Sequence, residues 1–121
     1  MKEELKSRHS FGDMPVYVID AASSHELDDG MSVEATDNPH QYWIHVHIAD
    51  PSAWIPKDHA LAKSAQHKYS SIYLPELMAP MLPSDVTDNG MSLSDTSKDP
   101  MNVLTFSALV DSVTGKVASF D

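Results

Sequence analysis

Ile19-Asp20-Ala21-Ala22-Ser23-Ser24-His25-Glu26-Leu27-Asp28-Asp29-Gly30 places four carboxylates within ten residues of chain. The run just before it, Val16-Tyr17-Val18-Ile19, is short and β-favouring, which predicts a buried strand that delivers Asp20 at its end. Residues 21–29 are small, polar and acidic without strand or helix period, and read as a loop that can fold back beside Asp20. Carboxylates brought that close repel one another and hold their protons more tightly, unless a cation sits between them. The chain has no cysteine, so the donors are hard oxygens that favour Mg²⁺, Mn²⁺ or Ca²⁺ over zinc. Gly30 allows a tight turn into the following strand.

Working outward, Met31–Glu34 predicts a strand, Asp37-Asn38-Pro39 a turn, and Tyr42–Ile48 a second strand. The second strand alternates, with Tyr42, Ile44, Val46 and Ile48 on one side and Trp43, His45 and His47 on the other. Asp58 has the chemistry of an N-cap for a helix running to about Lys68, with Leu61 and Ala65 one turn apart on its buried face. Ile72-Tyr73-Leu74 precedes Pro75 and must be extended there, and Pro80-Met81-Leu82-Pro83 is not helical. Asn102–Val110 alternates again, a turn falls at Asp111–Gly115, and Lys116–Phe120 completes a hairpin. The fold class is therefore α+β, mixed and strand-rich with one clear helix. Residues 1–13 are a polar lead-in and 14–121 form the domain, which stops at Asp121 just as the last strand forms and reads as a truncation.

Length and composition narrow the classes. A chain of 121 residues suffices for one small domain, and 41% hydrophobic with 21% charged residues is ordinary for a globular one. No apolar run approaches the roughly 20 residues of a membrane helix. Met1–Lys6 has neither the apolar core of a signal peptide nor the acid-poor, Arg-rich character of an organellar presequence. The net charge of −10, with only 8 scattered Lys and Arg, should by itself repel RNA. A bound divalent cation would offset part of that charge.

Spacing alone leaves several readings of the acidic stretch open. One is a solvated acidic loop. An EF-hand calcium loop needs Gly at its sixth position and Glu at its twelfth, and no register here supplies both. The third is a phosphoryl-transfer site in which carboxylates hold one or two cations.

The string Ile-Asp-x5-Glu-Leu-Asp-Asp-Gly resembles the signature of the ribonuclease II/R (RNB-type) exoribonuclease family. The resemblance continues in order through His47-Ile48-Ala49-Asp50-Pro51, Trp54-Ile55, Tyr73-Leu74-Pro75, Pro80-Met81-Leu82-Pro83 and Ser92-Leu93. It spans about Arg8 to Asp121, the N-terminal part of such a catalytic domain. It implies a Mg²⁺-dependent enzyme, with Mn²⁺ as the alternative ion, that removes nucleotides from single-stranded RNA 3′ ends and releases 5′-monophosphates. By position, Asp20, Glu26, Asp28 and Asp29 fall on the family's four acidic positions. Asp20 and Asp29 are expected as main metal ligands, Asp28 as essential to the chemistry, and Glu26 as the holder of a second metal or its water. Most members have Asp where Glu26 stands, and the Glu is reminiscent of organellar, particularly fungal mitochondrial, members. Mitochondrial residence is thus one expectation and cytoplasmic residence the other. An RNA helicase in a degradation complex is a candidate partner.

Tyr73 aligns with the family tyrosine that packs on the terminal base, where stacking contributes about 1–3 kcal/mol. The plainer role for Tyr73 is packing in an extended segment, and for Trp54 packing rather than lining an RNA channel. His45 and His47 share a strand face at i, i+2, and without a third ligand of comparable spacing they are expected to be structural rather than zinc-binding. His25 inside the acidic loop would lessen carboxylate repulsion if charged, although simple exposure is the plainer reading. Met78–Met81 reads as core filling. The family's OB-type RNA-binding barrels and its downstream catalytic arginine have no counterpart in these residues. The chain by itself is therefore expected to be inactive and to expose apolar surface. The alternative function is a non-catalytic remnant of the fold, acting as a scaffold or an RNA-associated protein.

Overall fold

Strict alternation of side chains builds the principal sheet. In the computed structural model, which describes residues 7–22, 24, 26–87, 91–93 and 100–121, β1 (Asp29–Ala35) and β2 (Gln41–Ala49) form an antiparallel hairpin. The Asn38-Pro39 turn closes it, with Gln41 N donating to Asn38 O at 2.9 Å and His40 N to Asn38 Oδ1 at 3.0 Å. A second hairpin joins β5 (Val103–Asp111) to β6 (Val117–Phe120), and the sheet order is β1-β2-β5-β6. His40 meets Ser112, His45 meets Ser107 and His47 meets Thr105, so β5 runs opposite to β2. Asp111 builds the last turn: its Oδ1 accepts from Val113 N, Thr114 N and the Thr114 hydroxyl at 2.8–3.0 Å. The Thr114 amide is the leading cause of an Asp111 carboxyl held below its ordinary value.

The sheet belongs to one of two compact units, comprising Met1–Asp20, Asp29–Ile48 and Val103–Asp121. Its buried face is polar. Ser32, His45 and His47 are all buried, and the pairing of Ser32 with His45 and of Gly30 with His47 puts them on one side. His47 Nε2 lies 2.8 Å from Ser32 Oγ, and His47 Nδ1 lies 2.9 Å from Thr105 Oγ1. His45 Nδ1 lies 2.9 Å from Ser107 Oγ, and its Nε2 stands 3.4 Å from Glu34 Oε2. Phe11 packs edge-on against both imidazoles, with centroids 5.1 and 4.9 Å away. The stretch read as a polar lead-in therefore contributes an aromatic lid at Phe11, and the Arg8 guanidinium reaches Val103 O at 3.4 Å. Both histidines have the structural role expected of them.

The opposite face carries the apolar side chains and is open. Met31, Val33, Tyr42, Ile48, Leu104, Phe106, Val117 and Phe120 are all exposed, Phe120 at 78%. Among the described residues the one buried hydrophobic side chain is Ala65. The expectation of exposed apolar surface is met on this face of the sheet.

Val16–Ile19 does not form the predicted strand. It touches β1 through a single antiparallel bridge, Tyr17 to Met31, with reciprocal hydrogen bonds of 2.7 and 2.9 Å. Val18 is half-buried, but Val16, Tyr17 and Ile19 are exposed. Gly30 serves this approach rather than a turn, since it lies inside β1. A Cβ there would sit 2.8 Å from Val16 Cγ1, closer than packed atoms allow, and a tight 3.2 Å from Val18 Cγ2.

The second unit comprises Ala21–Asp28 and Ala49–Asn102. Asp50 caps a 3₁₀ turn at Pro51–Ala53, accepting from Ser52 N. Helix α1 (Ala60–Gln66) is capped not by Asp58 but by His59, whose Nδ1 accepts from Leu61 N at 3.2 Å. The helix starts one residue later than expected and ends before Lys68; Ala65 is buried and Leu61 half-buried, as its period requires. A two-stranded hairpin follows, β3 (Ile72–Tyr73) with β4 (Met78–Ala79), then a short helix α2 (Ser84–Thr87) that the sequence did not announce. Met78 lies in β4 and is 36% exposed, and Met81 is half-buried, so Met78–Met81 is not core filling. Trp54, expected to pack, is 48% exposed. The expected α+β, strand-rich class holds throughout.

Burial, followed by the charge on neighbouring His45, holds His47 below its ordinary value of 6.5. The unfolded chain then binds this proton more readily than the folded one. The stabilisation is complete above about pH 6.5 and is lost as pH falls from there toward the lower folded value. Urea denaturation should show stability declining over that interval. His47→Ala should cost about 2–4 kcal/mol, because it opens a cavity and unpairs the Ser32 and Thr105 hydroxyls, and it should flatten the pH dependence.

Candidate functional site

The acids of the quoted stretch divide between the two units. Asp20 follows the Tyr17 bridge and Asp29 opens β1, both in the sheet unit and both exposed. Glu26, half-buried, and Asp28, exposed, belong to the second unit. Within each unit, no three His, Asp or Glu side chains among the described residues gather closely enough to hold a metal ion. His25 lies outside the described residues.

The backbone between Glu26 and Asp28 is clamped. Leu27 N donates to the Ser92 hydroxyl at 3.1 Å, and Leu93 N donates to Leu27 O at 2.7 Å. Ala49 N donates to Asp28 O at 2.7 Å, and Asp50 N to Asn102 O at 3.0 Å. Ser92 is buried. Its position in a Ser-Leu pair far along the chain hinted at significance, but hydropathy and spacing gave no sign that it would hold the acidic loop.

Tyr73 stands on the β3–β4 hairpin. Pro75 pre-sets the turn, which Leu74 N closes on Leu77 O at 2.9 Å. Ser71 Oγ accepts from Met81 N at 2.9 Å, and the Lys68 ammonium reaches Pro80 O at 3.1 Å. These contacts give the Tyr-Leu-Pro and Pro-Met-Leu-Pro segments their local purpose. Tyr73 is 66% exposed, and its hydroxyl donates to Glu26 Oε2 at 2.6 Å. Two of the predicted site residues, 47 positions apart, are thus brought into direct contact. That hydrogen bond is the main reason the phenol holds its proton above the ordinary value of 10; partial burial and the charges of Glu26 and Asp28 act in the same sense.

This arrangement can offer carboxylates to a hard cation and an open aromatic face to a planar group beside them. The family model for the RNB domain matches residues 8–121, and the chain belongs to the RNB family. It is 42% identical over 101 residues to mitochondrial protein cyt-4 of Neurospora crassa, covering 84% of this chain and 9% of that protein. It is 33% identical over 113 residues to the mitochondrial exoribonuclease II of Saccharomyces cerevisiae, covering 86% and 11%. The chain therefore spans about a tenth of the length of these relatives. Among solved structures, Mycoplasma genitalium RNase R in complex with double-stranded RNA superposes with a TM-score of 0.85 at 27% identity, over 99% of this chain and 21% of that one. Yeast Ssd1, described as a pseudonuclease, shares the fold with a TM-score of 0.84 at 18% identity, over 100% and 15%.

Glu26→Gln removes the charge and weakens the accepted hydrogen bond, so the Tyr73 phenol should titrate at lower pH than in the parent. Difference absorbance of the phenolate, with Tyr73→Phe to identify the transition, measures this.

Proposed function

We propose that this chain supplies the acidic active-site segment of a metal-dependent 3′→5′ exoribonuclease that hydrolyses single-stranded RNA to 5′-mononucleotides. The observation that carries the reading is the hydrogen bond from Tyr73 to Glu26, which joins the predicted base platform to the predicted acidic loop. Asp20 and Asp29 are the proposed main ligands of Mg²⁺ or Mn²⁺, Asp28 the group essential to the chemistry, and Glu26 the holder of a second ion or its water. Carboxylates are the hard oxygen donors that Mg²⁺ takes, commonly one or two with water and substrate phosphate completing the shell. When bound, such a cation supplies charge stabilisation to the oxygens of an in-line displacement at phosphorus. The chain's own part is to hold the acids: Ser92, Leu93 and Ala49 fix the backbone of 27 and 28, and the exposed Tyr73 ring offers a sequence-tolerant stacking face.

Mitochondrial residence is the favoured compartment because the relatives in Neurospora crassa and Saccharomyces cerevisiae carry that name. An RNA helicase partner and OB-type RNA-binding domains belong to the same proposal for the whole protein, which supplies the basic surface that a segment of net charge −10 lacks. Among the described residues no helix is long and apolar enough to cross a membrane. The isolated segment is proposed to be inactive. The second reading is a fold kept without turnover; yeast Ssd1, described as a pseudonuclease, has the same fold.

Calorimetric titration of the chain with Mg²⁺ and Mn²⁺ separates the two. The enzymatic reading expects binding that weakens by more than about tenfold, a change of 1.4 kcal/mol, in both Asp20→Asn and Asp28→Asn. A folded chain indifferent to both ions would favour the non-catalytic reading.

A further inference from the structure

Resting on the function just proposed, we infer that Tyr73 is a positioning residue for Glu26, in addition to any role of its ring as a base platform. Its hydroxyl engages Oε2, one of the two oxygens of that carboxylate. The hairpin that carries Tyr73 is built independently of the acidic loop, through the Tyr73–Met78 pairing and the Leu74–Leu77 turn. The loop in turn is anchored by its backbone at Leu27 and Asp28, not at Glu26. The Glu26 side chain has several rotatable bonds, and a fixed phenol at its tip restricts the conformers from which a cation would recruit it. Glutamate also suits this contact: an aspartate at 26, one methylene shorter, would draw the carboxylate back from the hydroxyl.

The arrangement ties two events to one side chain. A base stacked on the Tyr73 ring and the carboxylate held by its hydroxyl share a rigid aromatic body. A terminal nucleotide in register with the ring is therefore in register with Glu26. This would couple correct seating of an RNA end to the readiness of the acidic loop, through a contact that leaves the ring face free.

The test compares Mn²⁺ affinity by calorimetry in the parent chain, Tyr73→Phe, Glu26→Asp and the double variant, with far-UV circular dichroism and Tm as fold controls. Tyr73→Phe keeps the ring and should leave Tm nearly unchanged, because the side chain is 66% exposed. Its Mn²⁺ affinity should drop roughly tenfold, the lower end of what loss of an outer-shell partner costs. In the Glu26→Asp background the same change should have no further effect, since the hydroxyl has already lost its partner. An unchanged affinity in Tyr73→Phe, with the parent still binding through Asp20 and Asp28, overturns the positioning role and leaves the proposed function standing. An equal loss in both backgrounds also overturns it, because Tyr73 would then act through some group other than Glu26. A folded parent that binds no Mn²⁺ removes the function and this inference together.

Discussion

The imidazole of His47 reaches Ser32 on one neighbouring strand and Thr105 on the other, and these two hydrogen bonds lock the sheet's register from within. Sheets are usually registered by an apolar face seeking the core, and a one-residue slip reverses every side chain. Here the buried face is the polar one, so hydrogen-bond geometry is the determinant rather than greasy contact. A buried neutral imidazole has one donor and one acceptor nitrogen, and hydroxyls can complement either. That is why serine and threonine line the strands facing it. With the register set, Asp29 pairs opposite Ile48 at the mouth of the first hairpin, and the acidic loop begins from a fixed point.

The loop is then held at its backbone instead of through its acids. Leu27 is bracketed by Ser92 and Leu93, and the Asp28 carbonyl accepts from Ala49 N. The contact between Tyr73 and Glu26 adds a directional constraint to one of the acids.

Much of this was legible in the chain, for definite reasons. The period-2 runs at 42–48 and 102–110 and the Asn38-Pro39 and Asp111–Gly115 turns translate directly into hairpins, because local chemistry and tertiary pairing agree there. Val16–Ile19 misled because β propensity records suitability for a pleated surface, whereas pairing needs a partner, and only Tyr17 has one. At the start of α1 the cap passed to His59, whose ring nitrogen can play the role usually given to a carboxylate such as Asp58. β4 and α2 are too short to carry a period of their own. For the candidate site, the acids and Tyr73 were singled out through a shared pattern of motifs, and of these Tyr73 and Glu26 meet. The clamp by Ser92 and the Tyr73–Glu26 contact were not legible, since both join residues far apart in sequence through single hydrogen bonds that leave no trace in hydropathy.

The reciprocal bridge between Tyr17 and Met31 closes residues 18–30 into a loop whose two ends are stitched together. Closing such a loop costs entropy that grows only slowly with its length. Once the ends are fixed, additions or losses near the middle are inexpensive and leave the sheet undisturbed. The exception is the crowded spot at Gly30, where Val16 and Val18 leave no space for a side chain. The acidic segment thus has the character of a replaceable cartridge with one rigid fitting. The glycine at its exit is the position in the loop least able to take a side chain.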